Sequence, residues 1–190
     1  MRILFDHQIF TWQKLGGISR YFSEIILYIS KIKHVEFKLS VINSINIHYN
    51  ESRLQKKLLF RITNYLKIFI CNCFKRPDNF NLVYSINELK NQQFDVFVPT
   101  YYDNYFLEYI GNKPFVLTVH DMTHELYPAN FKNADYLIAQ KRNLIYKAKK
   151  IIAISENTKS DIINIYPDID KTKIEVVYLG YSIHPIQKNP

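Results

Sequence analysis

Apolar and polar residues along this chain follow two periods in turn, one of two residues and one near 3.6. Residues 2–6 form the apolar run of a short strand. After Gly16-Gly17, the positions Ile18, Phe22, Ile25, Ile29 and Ile32 recur at three- and four-residue steps, which predicts a helix. Val35, Phe37, Leu39 and Val41 then alternate, so a strand is expected over residues 35–43. Further strands are predicted over 94–98, 115–120, 151–154 and 174–178, with helices over 79–91, 134–149 and 156–166 between them. Strands alternating with helices imply an α/β protein. The expected fold is a Rossmann-like, doubly wound, mainly parallel sheet with helices on both faces. A length of 190 residues suits one well-cored domain spanning 1–190.

One segment departs from that alternation. Over residues 53–70, at roughly 100° per residue, Leu54, Leu58, Ile62, Tyr65, Leu66 and Phe69 share one helical face, while Arg53, Lys56, Lys57, Arg61 and Lys67 share the other. Two readings fit: a surface helix with a solvated basic face, or a membrane-surface helix drawn to anionic headgroups. Nucleic-acid binding is not expected, because no recognised reading motif accompanies the charge.

Composition narrows the class. With 47% hydrophobic and 22% charged residues the chain is an ordinary globular protein, which excludes wholesale disorder. Lys and Arg number 25 against 17 Asp and Glu, so the surface favours polyanions, phosphorylated ligands or anionic lipid. Cys71 and Cys73 lie too close for a cross-link between elements and cannot build a zinc site alone; so few cysteines suit a reducing compartment. The N-terminus meets Asp6 after Ile3-Leu4-Phe5 and lacks a signal peptide's apolar region. No apolar run approaches the ~20 residues of a membrane helix. A cytoplasmic protein, with peripheral contact at the inner face of the membrane under the second reading of 53–70, is the expectation.

The chemistry concentrates where strands end. Val116-Leu117-Thr118-Val119 reads as an interior parallel strand and stops at His120-Asp121. Open α/β sheets bind ligands beyond the carboxyl ends of their strands, which places His120 where a proton donor, acceptor or hydroxyl partner is useful. A structural histidine is the alternative, and Asp121 either orients it or caps the following turn. Gly16-Gly17 opens the first long helix; it is a plain turn or a place where a phosphate approaches free amides at the positive helix end, with Ser19 and Arg20 nearby. Ser155 follows the strand at 151–154 and is either an N-cap or, with Glu156, part of a site lining. Tyr101 and Tyr102, just past the strand at 94–98, are either core residues or an aromatic platform for a sugar or lipid-linked ligand.

Three segments together resemble a family: Gly16-Gly17-Ile18-Ser19-Arg20-Tyr21-Phe22, Thr118-Val119-His120-Asp121, and Ile154-Ser155-Glu156-Asn157-Thr158-Lys159-Ser160-Asp161-Ile162. In this order, followed by Lys173-Ile174-Glu175-Val176-Val177-Tyr178-Leu179-Gly180, they look like the N-terminal domain of a family-4 (group 1) glycosyltransferase of the GT-B fold. The resemblance implies transfer of a sugar from a nucleotide-sugar donor, with retention at the anomeric carbon and without a metal or other cofactor. The acceptor it implies is a polysaccharide, glycolipid or other cell-envelope glycan. It further implies that Gly16 and Gly17 approach the donor diphosphate and that His120 contacts the transferred sugar. Arg20, Tyr101, Asp121, Ser155 and Glu156 are the expected acceptor-side or cleft-lining residues.

The family's Glu-x7-Glu motif belongs to a second, donor-binding domain that has no counterpart within these 190 residues. The expectation is therefore a domain that folds alone but transfers no sugar alone. A non-catalytic acceptor- or membrane-binding module working with a separate donor-binding subunit is the alternative. The membrane reading predicts flotation with anionic liposomes that is lost in high salt and on charge reversal of Lys56, Lys57 and Arg61; flotation indifferent to both removes it.

Overall fold

In the computed structural model, which describes residues 1–52 and 80–180, six short parallel strands form the frame. In chain order the elements are β1 (Arg2–Phe5), α1 (Gln8–Trp12), α2 (Gly17–Ile29), β2 (Glu36–Leu39), α3 (Ile47–Glu51), α4 (Phe80–Asn91), β3 (Val96–Val98), β4 (Val116–Val119), α5 (Thr123–Leu126), α6 (Ala134–Lys147), β5 (Lys150–Ala153), α7 (Glu156–Ile165) and β6 (Ile174–Val176). Short 3-10 turns at Tyr105–Glu108, Pro128–Asn130 and Lys171–Lys173 complete them. The basic segment at 53–70, with Arg53, Lys56, Lys57, Arg61 and Lys67, lies outside the described residues.

The strands pair in the orders β2-β1-β3 and β4-β5-β6, all parallel. One bridge, Phe97 opposite Phe115, joins the two sets, with Phe97 N–H donating to Pro114 O at 3.0 Å. Pro114 has no N–H to return to the ladder, which accounts for the thinness of that seam. The combined order is Rossmann-like, and the winding reverses between β1 and β3, the place where such sheets bind ligands.

Alternation along β1 divides the core. Ile3 and Phe5 face Phe22 and Ile26 of α2, Leu39 and Tyr49, while Leu4 faces the other side with Phe97, Leu117 and Ile151 beneath Leu89 of α4, Leu144 of α6 and Ile162 of α7. A strand buried on both faces needs apolar residues at every position, which explains its unbroken apolar run.

The structure corrects three sequence expectations. The stripe that α2 buries is Ser19, Phe22, Ser23 and Ile26 rather than the line through Ile18, Ile25 and Ile29. Two small serines on that stripe let the helix settle close to the sheet, and the isoleucines flank the contact. Ile32 lies beyond the helix and is 40% exposed. The strand expected over 35–43 ends at Leu39, although Val41 stays buried in the loop beyond it.

A buried carboxylate closes the reversal. Asp6, fully buried just past β1, accepts Thr100 N–H at 2.8 Å, Thr100 O–H at 2.5 Å, Gln8 N–H at 3.3 Å and Gln8 Nε2–H at 2.6 Å. Gln8 in turn donates to Asp103 O and accepts from Asp103 N–H, both at 2.9 Å. The ends of β1 and β3 are thereby tied through one side chain. Burial pushes the Asp6 carboxyl up from 3.8 to about 6, against the hydrogen bonds from Thr100 and Gln8 that pull it down.

The sign of the pH effect follows. The unfolded chain ionises Asp6 first, so its contribution to stability is greatest below pH 4 and falls by about 3 kcal/mol as pH rises through 6. Asp6→Ala removes that slope and, by stranding the Thr100 and Gln8 donors, also destabilises the protein by about 3 kcal/mol. Denaturant unfolding of both proteins between pH 4 and pH 7.5 checks this; parallel stability curves refute it.

Candidate active site

The carboxyl edge of the sheet gathers the polar residues in which the apolar strands end. At β4, His120 is fixed by its backbone: its N–H donates to the Tyr102 hydroxyl at 3.1 Å, and its carbonyl accepts Thr158 Oγ1–H from α7 at 3.4 Å. Its ring lies edge-on to Tyr21 and Phe22 of α2, with centroids 5.2 and 6.1 Å away. Three elements therefore set the imidazole: β4 carries it, α7 and Tyr102 hold its backbone, and α2 shelters its face. The Nε2 atom is buried and has no hydrogen-bond partner among the described residues.

Burial pulls the His120 pKa down to about 4, helped by Lys141 and opposed by Asp121. At neutral pH the ring is uncharged, so it offers one donor and one acceptor nitrogen. Such a group can orient a hydroxyl or pass a hydrogen bond; it does not bring a cation to the site.

The same packing brings the start of α2 beside His120, since Tyr21 lies in its second turn. The helix begins at Gly16, which has no side chain to cap it, and has no acid in its first turn, so its positive end favours an anion. Gln13 sits against this end: its Oε1 accepts Ser19 N–H at 3.4 Å, and a side chain at Gly16 would collide with its carboxamide. A Cβ at Gly17 would meet nothing, so that approach is clear. Arg20 is exposed in the same turn.

The other predicted residues fall into place unequally. Ser155 is the N-cap of α7, accepting Thr158 N–H at 3.1 Å, with Glu156 exposed beside it. Asp121 accepts Thr123 N–H at 3.0 Å and thereby starts α5. Tyr102 is buried and occupied with His120, so it is no platform; Tyr101 remains half-buried, its ring tilted against Tyr102 at 4.8 Å and edge-on to Trp12 at 6.0 Å. His120, Tyr101, Asp121 and Ser155 thus share one edge with Gly16 and Gly17 at its rim.

Sequence reasoning missed the supports of this edge. Lys141, fully buried on α6, pairs with Glu125 at 2.9 Å, donates to Asp121 O at 2.9 Å and lies 4.9 Å from the Tyr102 ring centre. Asp6 and His7 also went unread, although Phe5-Asp6-His7 repeats the pattern of Val119-His120-Asp121: apolar strand, then acid and imidazole. Among the described residues no group of three or more His, Cys, Asp or Glu side chains is placed to hold a metal ion, and no helix is long and apolar enough to cross a membrane.

Comparison with solved structures returns glycosyltransferases of the GT-B fold. Anabaena HepE in complex with UDP-glucose superposes with a TM-score of 0.55 at 15% identity, over 95% of this chain and 44% of HepE. HepE with UDP and glucose gives 0.56 at 17% identity, over 95% and 45%. The apo form of WaaB, a lipopolysaccharide outer core galactosyltransferase, gives 0.50 at 18% identity, over 100% and 50%. At such identities the likeness is one of fold, and this chain spans about half the length of each neighbour. Comparison with curated protein sequences finds no match. The family model described as Glycosyltransferase Family 4 matches residues 55–184, more than half of the chain, and with the edge geometry above it establishes that this protein belongs to that family.

Proposed function

We propose that this chain is the N-terminal, acceptor-side domain of a retaining glycosyltransferase that moves a sugar from a nucleotide-sugar donor to a cell-envelope glycan or glycolipid. The observation that carries the reading is the convergence of a neutral, sheltered His120 with the glycine-led, acid-free start of α2. HepE, crystallised with UDP-glucose and with UDP and glucose, supports a nucleotide-sugar donor; WaaB supports an envelope acceptor.

In this reading the leaving diphosphate gathers negative charge as the anomeric bond breaks. The amides and positive end of α2 at Gly16 and Gly17 meet that charge directly, so no metal is required. His120 hydrogen-bonds a hydroxyl of the transferred sugar and holds the ring as positive character grows at its anomeric carbon. A neutral imidazole suits this position better than a cation, which would repel that developing charge. Arg20, Tyr101, Asp121, Ser155 and Glu156 line the acceptor side. The nucleotide pocket belongs to a second domain, so residues 1–190 alone fold without transferring sugar.

The residue test is His120→Ala in the complete enzyme. Turnover falls by about 10²–10³-fold while circular dichroism and melting temperature are retained; a near-normal rate makes His120 structural. The His120 ring signals, followed by NMR, stay those of a neutral imidazole from pH 8 to pH 5 and titrate only near 4.

A further inference from the structure

A second histidine on the same edge is also sheltered and incompletely bonded. His7, the residue after Asp6, is 4% exposed; its Nε2 is buried without a partner among the described residues. It lines a cleft of about 490 Å³ between α1, the loop at 43–45 and the start of α4, a size that fits a small-molecule site. Its position, outward from the end of β1 at the winding reversal, is where an open sheet receives ligand.

A chain of hydrogen bonds leads to His7. Ile42 N–H and Asn43 N–H both donate to Asn81 Oδ1, at 2.8 and 3.2 Å, which identifies the other amide atom as the donor. Asn81 Nδ2 then donates to Thr11 Oγ1 at 2.8 Å and to Asn43 O at 2.7 Å. Thr11 Oγ1, which accepts from Asn81, lies 3.1 Å from His7 Nδ1 and keeps its own proton available to that nitrogen. Burial holds the ring neutral, with a pKa lowered to about 4, and the tautomer in which Thr11 donates to Nδ1 carries its single proton on Nε2. That tautomer leaves an N–H donor in need of an oxygen.

The lining selects the class of ligand. Trp12, Ile45 and Phe80 give the cleft apolar surface, while Asn43, Asp103 and His7 give it hydrogen-bonding groups. Trp12 is 51% exposed, so the face of a large aromatic ring is available at its mouth. Asp103 is oriented by Tyr105 N–H, which it accepts at 3.0 Å. Among the described residues no lysine or arginine lines the cleft, and a carboxylate does, which disfavours phosphate and other anions. An aromatic face with amide, carboxylate and imidazole groups matches a pyranose, whose axial C–H groups stack and whose hydroxyls both donate and accept. Trp12 meets Tyr101 edge-on at 6.0 Å, Tyr101 packs tilted against Tyr102 at 4.8 Å, and the Tyr102 hydroxyl takes the His120 N–H. The cleft and the His120 site are thus joined by one aromatic row.

We propose that this cleft is an acceptor subsite that binds a non-reacting pyranose unit of a glycan acceptor, with Trp12 stacked on the ring and His7 Nε2–H donating to one of its oxygens. This rests on the glycosyltransferase reading and extends it, because a subsite one aromatic row from His120 calls for an acceptor longer than a single sugar.

Trp12 is the only tryptophan in these 190 residues, so its emission reports on the cleft. On the isolated 190-residue chain, with folding checked by circular dichroism, the probes are the methyl pyranosides of glucose, galactose, mannose, rhamnose and N-acetylglucosamine. At least one shifts Trp12 emission saturably. His7→Ala weakens that binding about tenfold, and His7→Gln, whose Nε2 replaces the donor, restores most of it. Should His7→Ala unfold, Asp103→Asn shows a comparable loss. The proposal fails if no pyranoside gives a saturable shift up to about 100 mM, or if folded variants bind as the parent does. None of this requires donor or turnover. A silent Trp12 with His120-dependent transfer intact overturns the subsite alone, whereas sugar binding with His120→Ala fully active overturns the transfer reading alone.

Discussion

The functional edge of this domain depends on one buried carboxylate. Asp6 lies where the winding of the sheet reverses, and the strands on either side leave in opposite directions. Such a reversal opens a crevice, and its backbone donors have no neighbouring strand to receive them. Asp6 receives the amide and hydroxyl of Thr100 and both donors of Gln8, and Gln8 carries the tie to Asp103. Everything outward of β1 and β3, including His7, Tyr101 and Tyr102, takes its position from that closure. A charge kept in the core at neutral pH works against stability, and the number of donors it gathers shows what it contributes: a defined place for the segments beyond the strands.

A second buried charge does similar work on the β4 side. Lys141 reaches from α6 to the Asp121 carbonyl, pairs with Glu125 and lies near the Tyr102 ring. The residues on either side of His120 are therefore both held, Asp121 by Lys141 and Val119 by the β5 ladder. His120 itself is left with backbone restraints and aromatic walls. A side chain so confined, with its Nε2 uncommitted, is pre-organised for an incoming hydroxyl: the ordering cost is met in folding rather than at binding.

The frame was legible in the sequence where elements are long or buried on both faces. The predicted strands at 94–98, 115–120, 151–154 and 174–178 each contain or overlap a real one, because an unbroken apolar run bounded by polar residues has few other uses. His120 was legible for the same reason, as the polar stop of such a run. The five-residue helices α1 and α3 were not, since barely more than a turn leaves no period to read. Nor was the buried stripe of α2, where Ser19 and Ser23 occupy the contact because of their size and hydropathy points to the isoleucines instead. The Asp6, Gln8, Thr100 and Asp103 network spans over ninety residues of chain, and the Thr11–Asn81 link about seventy; neither partner signals the other in sequence.

Charge sorts the edge into two kinds of surface. The chain carries a formal charge of +8, yet among the described residues no lysine or arginine lines the cleft beside His7, where Asp103 is present instead. The start of α2 shows the reverse: no acid in its first turn, and at Gly17 a glycine that admits close approach. An anion is therefore favoured at one end of the edge and a neutral, hydroxyl-bearing ligand at the other. His120 lies between them, neutral and flanked by both. Under the transfer reading proposed above, that gradient would keep a charged donor and an uncharged acceptor apart and bring them together at one residue. It arises here from where helices start and which carboxylates stay exposed, independently of the net charge of the protein.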